Sequence, residues 1–280
     1  MNEKICLYTP PLSKSKSYFE IVDIAANFGI KNIETINTLE LSDPDKDFAK
    51  KLREYADKKD VKFVCVSVGI DLVEDGNEKN IQIVKDFADV AKILGSPYIH
   101  HTVALNVSDP KKTEKMKDIY FDRGVRAIEE VYDYCEKIGV KAIYEDQGYL
   151  FNGKEGFRKL LNATDKNFGV VADFGNILFV DEVVEEFIPV VKDRIVNVHL
   201  KDYLFTDGKE RNIQKDEYLT LNNNYLKDCN LGDGIVNFDK AFEELKKTGY
   251  NGYYALECVP MGKDQTKNFA KNIEFLSKYI

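Results

Sequence analysis

FGVVADFGNILFVDEVVEEFIPVVKDRIVNVHLKD occupies residues 168–202 and contains the repeating unit of the whole chain. Two short apolar runs, at 168–174 and 194–200, flank a longer segment with helical periodicity. The runs are too far apart for a hairpin, and their spacing suits parallel strands joined by a helix. The stretch therefore predicts a strand–helix–strand unit.

The same alternation extends through the rest of the chain. Six further apolar runs follow the pattern, at 5–9, 31–36, 61–68, 96–103, 140–146 and 252–258. Glycines that suit left-handed helix ends follow four of the helical segments: Gly29, Gly95, Gly139 and Gly249. Eight strands and eight helices predict a closed α/β (β/α)8 TIM barrel, with residues 1–280 as a single domain. An open doubly wound sheet usually has a glycine-rich loop after its first strand, whereas TPPLSKSKS at 9–17 has no glycine.

Composition and charge are those of an ordinary soluble domain, with 44% hydrophobic and 31% charged residues. The formal net charge of −8 argues against a nucleic-acid partner. Five scattered cysteines without a CxxC pair predict reduced thiols and a cytoplasmic location: Cys6, Cys65, Cys135, Cys229 and Cys258. We expect no signal peptide and no membrane segment, because no long apolar stretch is present.

Four of the apolar runs end in a side chain that can bind a metal ion. These side chains are Glu145, Asp173, His199 and Glu257. The carboxyl ends of barrel strands face the same side of the fold, where active sites lie. Because a charged group at the end of a hydrophobic strand is costly unless it is paired or ligating, the four residues predict one common site.

The alternation of side chains along a strand gives the direction of these groups. In the run at 194–200 and just beyond it, one face is predicted to look into the barrel: Asn197, His199 and Lys201. The other face is predicted to pack against the helices: Val196, Val198 and Leu200.

Three carboxylates and one imidazole form an oxygen-rich site without thiolates. This ligand set favours one divalent ion, Mn²⁺ first, with Co²⁺, Mg²⁺ or Zn²⁺ as alternatives. Each residue alone has an ordinary interpretation. A carboxylate at a strand end is often an ion-pair partner or a helix cap, and a buried histidine is often a hydrogen-bonded core residue. Four such residues at strand ends favour the metal site.

Further residues near the strand ends are candidates for substrate contacts. Tyr8 ends the first strand and is expected to pack on the substrate or in the core. Glu34 in NIETI is expected to contact a substrate hydroxyl or to pair with a cation. His100 and His101 end the fourth strand, and since neighbours in a strand face opposite sides, we expect one of them to face the site.

The segment after the seventh run contains cations and a long polar connection. Lys201, together with Lys209 and Arg211, is a candidate for binding a phosphate or carboxylate, the alternative being solvated surface charge. Asp202 is a candidate for the outer partner that orients the metal-binding histidine. The connection at 203–235 shows no clear secondary structure, and its length predicts a lid over the barrel mouth.

The sequence resembles the sugar phosphate isomerase/epimerase superfamily, the xylose isomerase-like TIM barrels. The most specific stretch is LGDGIVNFDKAFEELKKTGYNGYYALE at 231–257, which resembles the family's two glycines, short helix, GY-x-G turn and strand ending in glutamate. HLKD at 199–202 and ADFGN at 172–176 resemble the two preceding strand ends. The likeness extends along the chain and is strong from about residue 140 onward.

The resemblance implies specific roles for residues of this chain. It implies the same four metal ligands, Glu145, Asp173, His199 and Glu257, with the first and last also acting as the acid/base pair. Many relatives have a histidine three residues after the aspartate, where this chain has Asn176, a candidate substrate contact. Free-sugar 3-epimerases often have an arginine shortly after the metal histidine, and none occurs here in 200–205.

The implied chemistry is metal-dependent isomerisation or epimerisation of a small sugar or sugar phosphate. The cation would polarise a carbonyl and stabilise the enediolate formed when a glutamate removes the neighbouring proton. An alternative is a lyase that dehydrates a keto-polyol, as inosose dehydratases do, since it begins with the same proton abstraction. An endonuclease-IV-like repair enzyme and a non-catalytic sugar-binding barrel are weaker alternatives. The resemblance also implies a homodimer or homotetramer.

Overall fold

The computed structural model describes residues 3–12, 16–104, 110–210, 212–257 and 265–280, without the side chains of 110–113 and 265–266. Arg211 and Cys258 lie outside the described residues.

Eight parallel strands close into the predicted barrel. The barrel strands are β1 (Ile5–Tyr8), β2 (Asn32–Ile36), β3 (Lys62–Val68), β4 (Tyr98–His101), β5 (Lys141–Glu145), β6 (Gly169–Asp173), β7 (Ile195–Leu200) and β11 (Tyr253–Leu256). Hydrogen-bonded neighbours follow the order β1-β11-β7-β6-β5-β4-β3-β2, and the ring is closed. Each barrel strand falls within one of the eight predicted runs.

Helices connect the strands and cover the outside of the barrel. They are α1 (Tyr18–Asn27), α2 (Lys46–Asp57), α3 (Glu78–Leu94), α4 (Pro110–Ile138), α5 (Gly153–Ala163), α6 (Val184–Val191), α7 (Phe238–Lys247) and α8 (Gln265–Leu276). Two short 3₁₀ helices occur at Leu39–Leu41 and Asn176–Val180. The four glycines predicted at helix ends have positive φ angles, which a glycine adopts without steric cost. Among the described helices, none is both long and apolar enough to cross a membrane.

The side-chain alternation of β7 contains one irregularity. Val198 and Leu200 pack in the main core between barrel and helices, as predicted. Val196 instead packs against the inner cluster of Cys65, Ile143 and Val171, so the prediction that it faces the helices is wrong. The register between β6 and β7 shifts by one residue at this point, which turns Val196 inward. Gly169 makes room for it, because a Cβ there would lie 2.6 Å from Val196 Cγ2.

The segment at 203–235 is more ordered than its sequence suggested. It forms a three-stranded antiparallel sheet in the order β8-β10-β9, from β8 (Tyr203–Thr206), β9 (Tyr218–Leu219) and β10 (Tyr225–Asp228). The ring of Phe179 packs against Tyr203 and Tyr218 at centroid distances of 5.8 and 5.7 Å. Asp181 accepts a hydrogen bond from the Thr220 hydroxyl at 2.8 Å. These contacts dock the sheet on the 3₁₀ helix that follows β6.

Candidate metal centre

Four strand ends bring the predicted ligands together. Glu145 ends β5, Asp173 ends β6, His199 lies in β7 and Glu257 follows β11. Asp173 and Ala255 are both in register with His199, so neighbouring strands place their side chains at one level of the barrel. One ligand atom from each of the four residues lies within 4.8 Å of the other three.

The four candidate ligand atoms converge without hydrogen-bond partners in the part of the chain that the structure describes. Glu145 Oε1, Asp173 Oδ2, His199 Nδ1 and Glu257 Oε2 are all buried and form no hydrogen bond among the described residues. His199 Nδ1 lies 2.7 Å from Glu145 Oε1 and 3.0 Å from Glu257 Oε2, without hydrogen-bond geometry. Buried polar atoms are almost always satisfied, so four unsatisfied atoms that converge on one point fit a divalent cation.

Glu34 holds the imidazole of His199 from the other side. His199 Nε2 lies 3.0 Å from Glu34 Oε1, and Asn197 Nδ2 donates to Glu34 Oε2 at 2.9 Å. Because a carboxylate only accepts, Nε2 carries a proton, and Nδ1 is the nitrogen that a metal ion would bind after displacing any proton held there. Glu34 is fully buried and contacts the protein groups of His199 and Asn197, which favours the expected pairing with a neighbouring cation over the expected contact with a substrate hydroxyl.

Asp202 has a different role from the one predicted. Its carboxylate accepts hydrogen bonds from the backbone N–H groups of Tyr203, Gly232, Gly234 and Val236 at 2.9–3.1 Å. Neighbouring residues of an extended segment point in opposite directions, which turns Asp202 away from His199. The prediction that Asp202 orients His199 is therefore wrong. The side chain instead holds the glycine turn before α7 against the start of β8.

We expect Asp202→Ala to lower stability without removing the metal centre. The substitution leaves four buried or half-buried N–H groups without their acceptor, at a cost of about 1–3 kcal/mol. For a domain of this size each kcal/mol lowers Tm by about 2–4 °C. Thermal unfolding measures the effect, and Asp202→Asn should lose less because its amide oxygen still accepts. An unchanged Tm in both variants would contradict this role.

Asp173 is held rigidly at the edge of the centre. Its Oδ1 accepts from the backbone N–H groups of Gly175 at 2.7 Å and Asn176 at 2.9 Å. Its own N–H donates to Asp146 Oδ1 at 2.8 Å. These bonds leave Oδ2 directed at the centre. Asp146 was not predicted from the sequence, although a second carboxylate directly after Glu145 in a buried run is a usable signal.

Lys201 and Asn176 lie at the outer rim of the centre. Lys201 Nζ lies 2.7 Å from Glu257 Oε1 and 3.2 Å from Asp173 Oδ2, and it donates to Asn176 Oδ1 at 3.1 Å. The ammonium group is thus engaged by carboxylates of the centre. Lys209 is exposed. Because Arg211 lies outside the described residues, binding of a phosphate or carboxylate by Lys201, Lys209 and Arg211 stays a prediction.

The remaining residues predicted to contact substrate lie on both sides of the barrel wall. The Tyr8 ring lies inside, with its centroid 5.0 Å from that of His199. His100 also faces inward, with Nε2 3.7 Å from Glu145 Oε2. His101 faces outward, where Nε2 contacts the Tyr144 hydroxyl at 3.1 Å. The expectation that one of the two histidines faces the site is met by His100, and the predicted substrate contact of His101 is wrong.

Burial and mutual repulsion shift the pKa values at the centre. Burial raises the pKa of Glu145 to about 8, although His199 and Lys201 act to lower it. Burial alone would lower the pKa of His199, but Glu34 and Glu145 outweigh it and raise that pKa well above the ordinary value. Burial also favours a higher pKa for Glu257, yet Lys201 and His199 bring it below the ordinary range. The centre thus retains protons that a cation would displace.

Metal affinity is expected to rise with pH. Below about pH 8 Glu145 holds a proton, and His199 holds one to higher pH than an ordinary histidine, so binding must displace them. Each displaced proton makes affinity rise up to about tenfold per pH unit. Titration calorimetry between pH 6 and 9, in buffers of different ionisation enthalpy, measures affinity and proton release. A pH-independent affinity without proton release would contradict this prediction.

A cavity of about 500 Å³ opens beside the centre. Asn176 and Lys201 form its inner wall. Aromatic rings from the β5–α5 connection, the 3₁₀ helix and the small sheet form much of the rest: Tyr149, Phe179, Tyr203 and Tyr218. The segment at 203–235 therefore lines a space at the barrel mouth, which is where the sequence predicted a lid.

Comparison with known sequences connects this geometry to a family. The sequence profile described as xylose isomerase-like TIM barrel matches residues 22–279. The chain belongs to this family. Its membership confirms the resemblance inferred from the strand-end motifs, and structurally similar proteins include a D-allulose 3-epimerase and a D-psicose 3-epimerase.

Several individual proteins are similar to this chain at low sequence identity. Inosose dehydratase of Lactiplantibacillus plantarum is 24% identical over 198 residues, which cover 67% of this chain and 65% of that protein. D-Allulose 3-epimerase from Methylomonas sp. superposes with a TM-score of 0.76 at 16% identity, covering 99% and 98% of the two chains. A Mycobacterium smegmatis barrel in complex with magnesium gives 0.70 at 14% identity, covering 95% and 90%.

Proposed function

We propose that this protein is a divalent-metal-dependent isomerase or epimerase of a small sugar. The observation that carries the proposal is that four buried atoms without hydrogen bonds converge on one point, and that two of them belong to Glu145 and Glu257. A cation bound there would act as a Lewis acid on the substrate carbonyl, which makes the neighbouring C–H proton acidic. Mn²⁺ is the first candidate, with Co²⁺, Mg²⁺ and Zn²⁺ as alternatives.

The two glutamates are suited to opposite parts of a proton transfer. Glu257 Oε1 lies 2.7 Å from Lys201 Nζ, a contact that favours the ionised carboxylate and so a proton acceptor. Burial raises the pKa of Glu145 to about 8 in the metal-free protein, but a bound cation would displace that proton, so Glu145 would take up a proton from solvent before donating one. We assign removal of the substrate proton to Glu257, which then releases it to solvent, and delivery of a solvent-derived proton to Glu145.

The lining of the adjacent cavity favours an uncharged substrate. Lys201 is engaged by Glu257 and Asp173, and Glu217 also lines the cavity. Aromatic faces such as those of Tyr149 and Tyr218 pack well against the C–H faces of a sugar. We therefore place a free sugar before a sugar phosphate among candidate substrates.

Turnover in deuterated solvent tests the proposed reaction. Metal-loaded protein is incubated in D₂O with a panel of ketoses, aldoses and their phosphates, beside chelator-treated protein. An isomerase or epimerase is expected to yield a product of the same composition with one solvent deuteron on the carbon next to the carbonyl. Activity that survives complete metal removal, or a product without solvent deuterium, would contradict the proposal.

Dehydration of a keto-polyol is the second candidate. Its specific support is the sequence similarity to inosose dehydratases, one of which is 24% identical to this chain over 198 residues. The same proton abstraction by Glu257 would be followed by loss of a β-hydroxyl, which can leave as water with the proton that Glu257 has taken up. A product lighter than its substrate by one water identifies this reaction, whereas a product of equal mass identifies isomerisation or epimerisation.

A further inference from the structure

His100 belongs to a hydrogen-bonded chain of three residues inside the barrel. Its Nδ1 lies 3.0 Å from the Ser67 Oγ, and Ser67 Oγ lies 2.6 Å from Glu34 Oε1. All three side chains are buried, with exposed fractions of 3% or less. Because these side chains are shielded from solvent, the protein groups around them determine which of their atoms carry the protons.

The direction of each hydrogen bond follows from the groups available. Only an ionised carboxylate accepts from all three groups that contact Glu34, namely Asn197 Nδ2, His199 Nε2 and Ser67 Oγ, so Glu34 acts as an acceptor. Ser67 has a single hydroxyl proton, and the short contact with Glu34 uses it. Ser67 Oγ must therefore accept from His100, which requires the proton of the imidazole to be on Nδ1.

The other ring nitrogen of His100 faces the metal centre. Its Nε2 is buried, forms no hydrogen bond among the described residues, and lies 3.7 Å from Glu145 Oε2. The His100 ring also packs edge-on against His199, with centroids 5.6 Å apart. A lone pair directed into a site without a protein donor is suited to a ligand that brings a donor of its own.

We propose that Ser67 and Glu34 hold His100 as the Nδ1–H tautomer and that its bare Nε2 accepts a hydrogen bond from a substrate hydroxyl. The second half rests on the proposed sugar substrate, and the first half does not. Ser67 is then a positioning residue and His100 a specificity-determining one. Neither Ser67 nor this acceptor role was predicted from the sequence.

The proposal restricts which end of a substrate lies beside His100. A carbonyl, carboxylate or phosphate oxygen has no proton to give and would meet two acceptors, His100 Nε2 and Glu145 Oε2. A hydroxyl can donate to Nε2 without such a conflict. The substrate carbonyl must then lie elsewhere in the centre, and a hydroxyl-bearing carbon must lie on the β4 side.

Nitrogen-15 NMR of the imidazole rings tests the tautomer without any substrate. The chain has three histidines, so His100→Asn assigns the His100 signals by their loss. The full-length protein loaded with diamagnetic Mg²⁺ is expected to show a protonated Nδ1 and an unprotonated Nε2 for His100. In Ser67→Ala this preference should weaken, because Nδ1–H loses its acceptor. A protonated Nε2 in the unmodified protein overturns the proposal and leaves the proposed function standing.

The hydroxyl contact is tested on the same sample with D-fructose at molar concentration as the probe. Nε2 of His100 is expected to shift toward the range of a hydrogen-bonded nitrogen. His100→Gln, whose amide oxygen reaches the Nε2 position, should retain more of the sugar affinity than His100→Asn, which should lose roughly tenfold. An Nε2 signal that is unchanged by the sugar, or equal affinity in both variants, overturns the contact.

Discussion

Replacing Glu257 with glutamine is expected to lower turnover by about 10²- to 10⁴-fold. The amide cannot accept the substrate proton, and it presents one neutral oxygen where the carboxylate has two charged ones. Glu257 Oε2 lies among the ligand atoms, whereas Oε1 pairs with Lys201 Nζ at 2.7 Å. The variant is therefore expected to lose metal affinity as well as the proton acceptor. Steady-state kinetics at saturating metal separate the two effects.

The matched control for this variant is Glu243→Gln. Glu243 lies on the exposed face of α7 and pairs there with Lys247 at 3.0 Å. It is not one of the four candidate metal ligands. It is expected to keep its activity and its metal affinity, since exposed ion pairs contribute little. If Glu257→Gln retains near-normal turnover at saturating metal, the assignment of the proton acceptor is wrong.

Asp173→Asn is expected to weaken metal binding by more than 100-fold. Loss of an outer-shell contact typically costs roughly 10- to 100-fold in affinity, and Asp173 is itself one of the four candidate ligands. The Asn oxygen is expected to keep accepting from the N–H groups of Gly175 and Asn176, as Asp173 Oδ1 does. Its NH₂ group would then face the centre, where it repels a cation and the Lys201 ammonium alike.

Thermal unfolding and calorimetry of the metal complex measure this effect. Because the backbone contacts of Oδ1 are retained, we expect the metal-free Asp173→Asn variant to fold. Asp193→Asn, at an exposed position, is the matched control and is expected to bind metal normally. Equal affinity in the two variants would remove Asp173 from the ligand set.

The barrel was predictable because its signals are local and repeated. Eight apolar runs at helix-length intervals, with glycines at four helix ends, are enough to predict the closed sheet. The inward turn of Val196 was not predictable, because RIVNVHL alternates regularly and the register shift depends on the neighbouring strand. The β8-β10-β9 sheet was missed because its strands have only two to four residues within a polar segment.

The four candidate ligands could be placed together from the sequence for the same reason, whereas the residues that support them could not. Asp202 is close to His199 in sequence, but alternation turns it to the glycine turn. Glu34 is 165 residues away and is brought under His199 by closure of the barrel. Ser67 and Glu34 together fix the tautomer of His100. This depends on contacts between three strands, which no local sequence pattern reveals.

Helix α4 illustrates the same limit on a smaller scale. Helical periodicity at 116–138 predicts one buried stripe of Ile119, Val125, Ile128, Val131, Tyr132, Cys135 and Ile138. Val125, Ile128, Val131 and Cys135 are buried as predicted. Ile119, one and a half turns earlier on that stripe, is 47% exposed, and Tyr120 and Phe121 are buried in its place. Packing against Glu74 and Phe151 selects these rings, and neither contact is visible in the helix sequence.

The central claim is that Glu145, Asp173, His199 and Glu257 bind one divalent cation, and calorimetry of chelator-stripped protein tests it most directly. Mn²⁺, Co²⁺, Mg²⁺ and Zn²⁺ are each titrated into the unmodified protein and into Asp173→Asn. The predicted result is one site per chain for at least one of these ions, with affinity strongly reduced in the variant. Absence of binding for all four ions, or binding that is indifferent to Asp173, would contradict the claim.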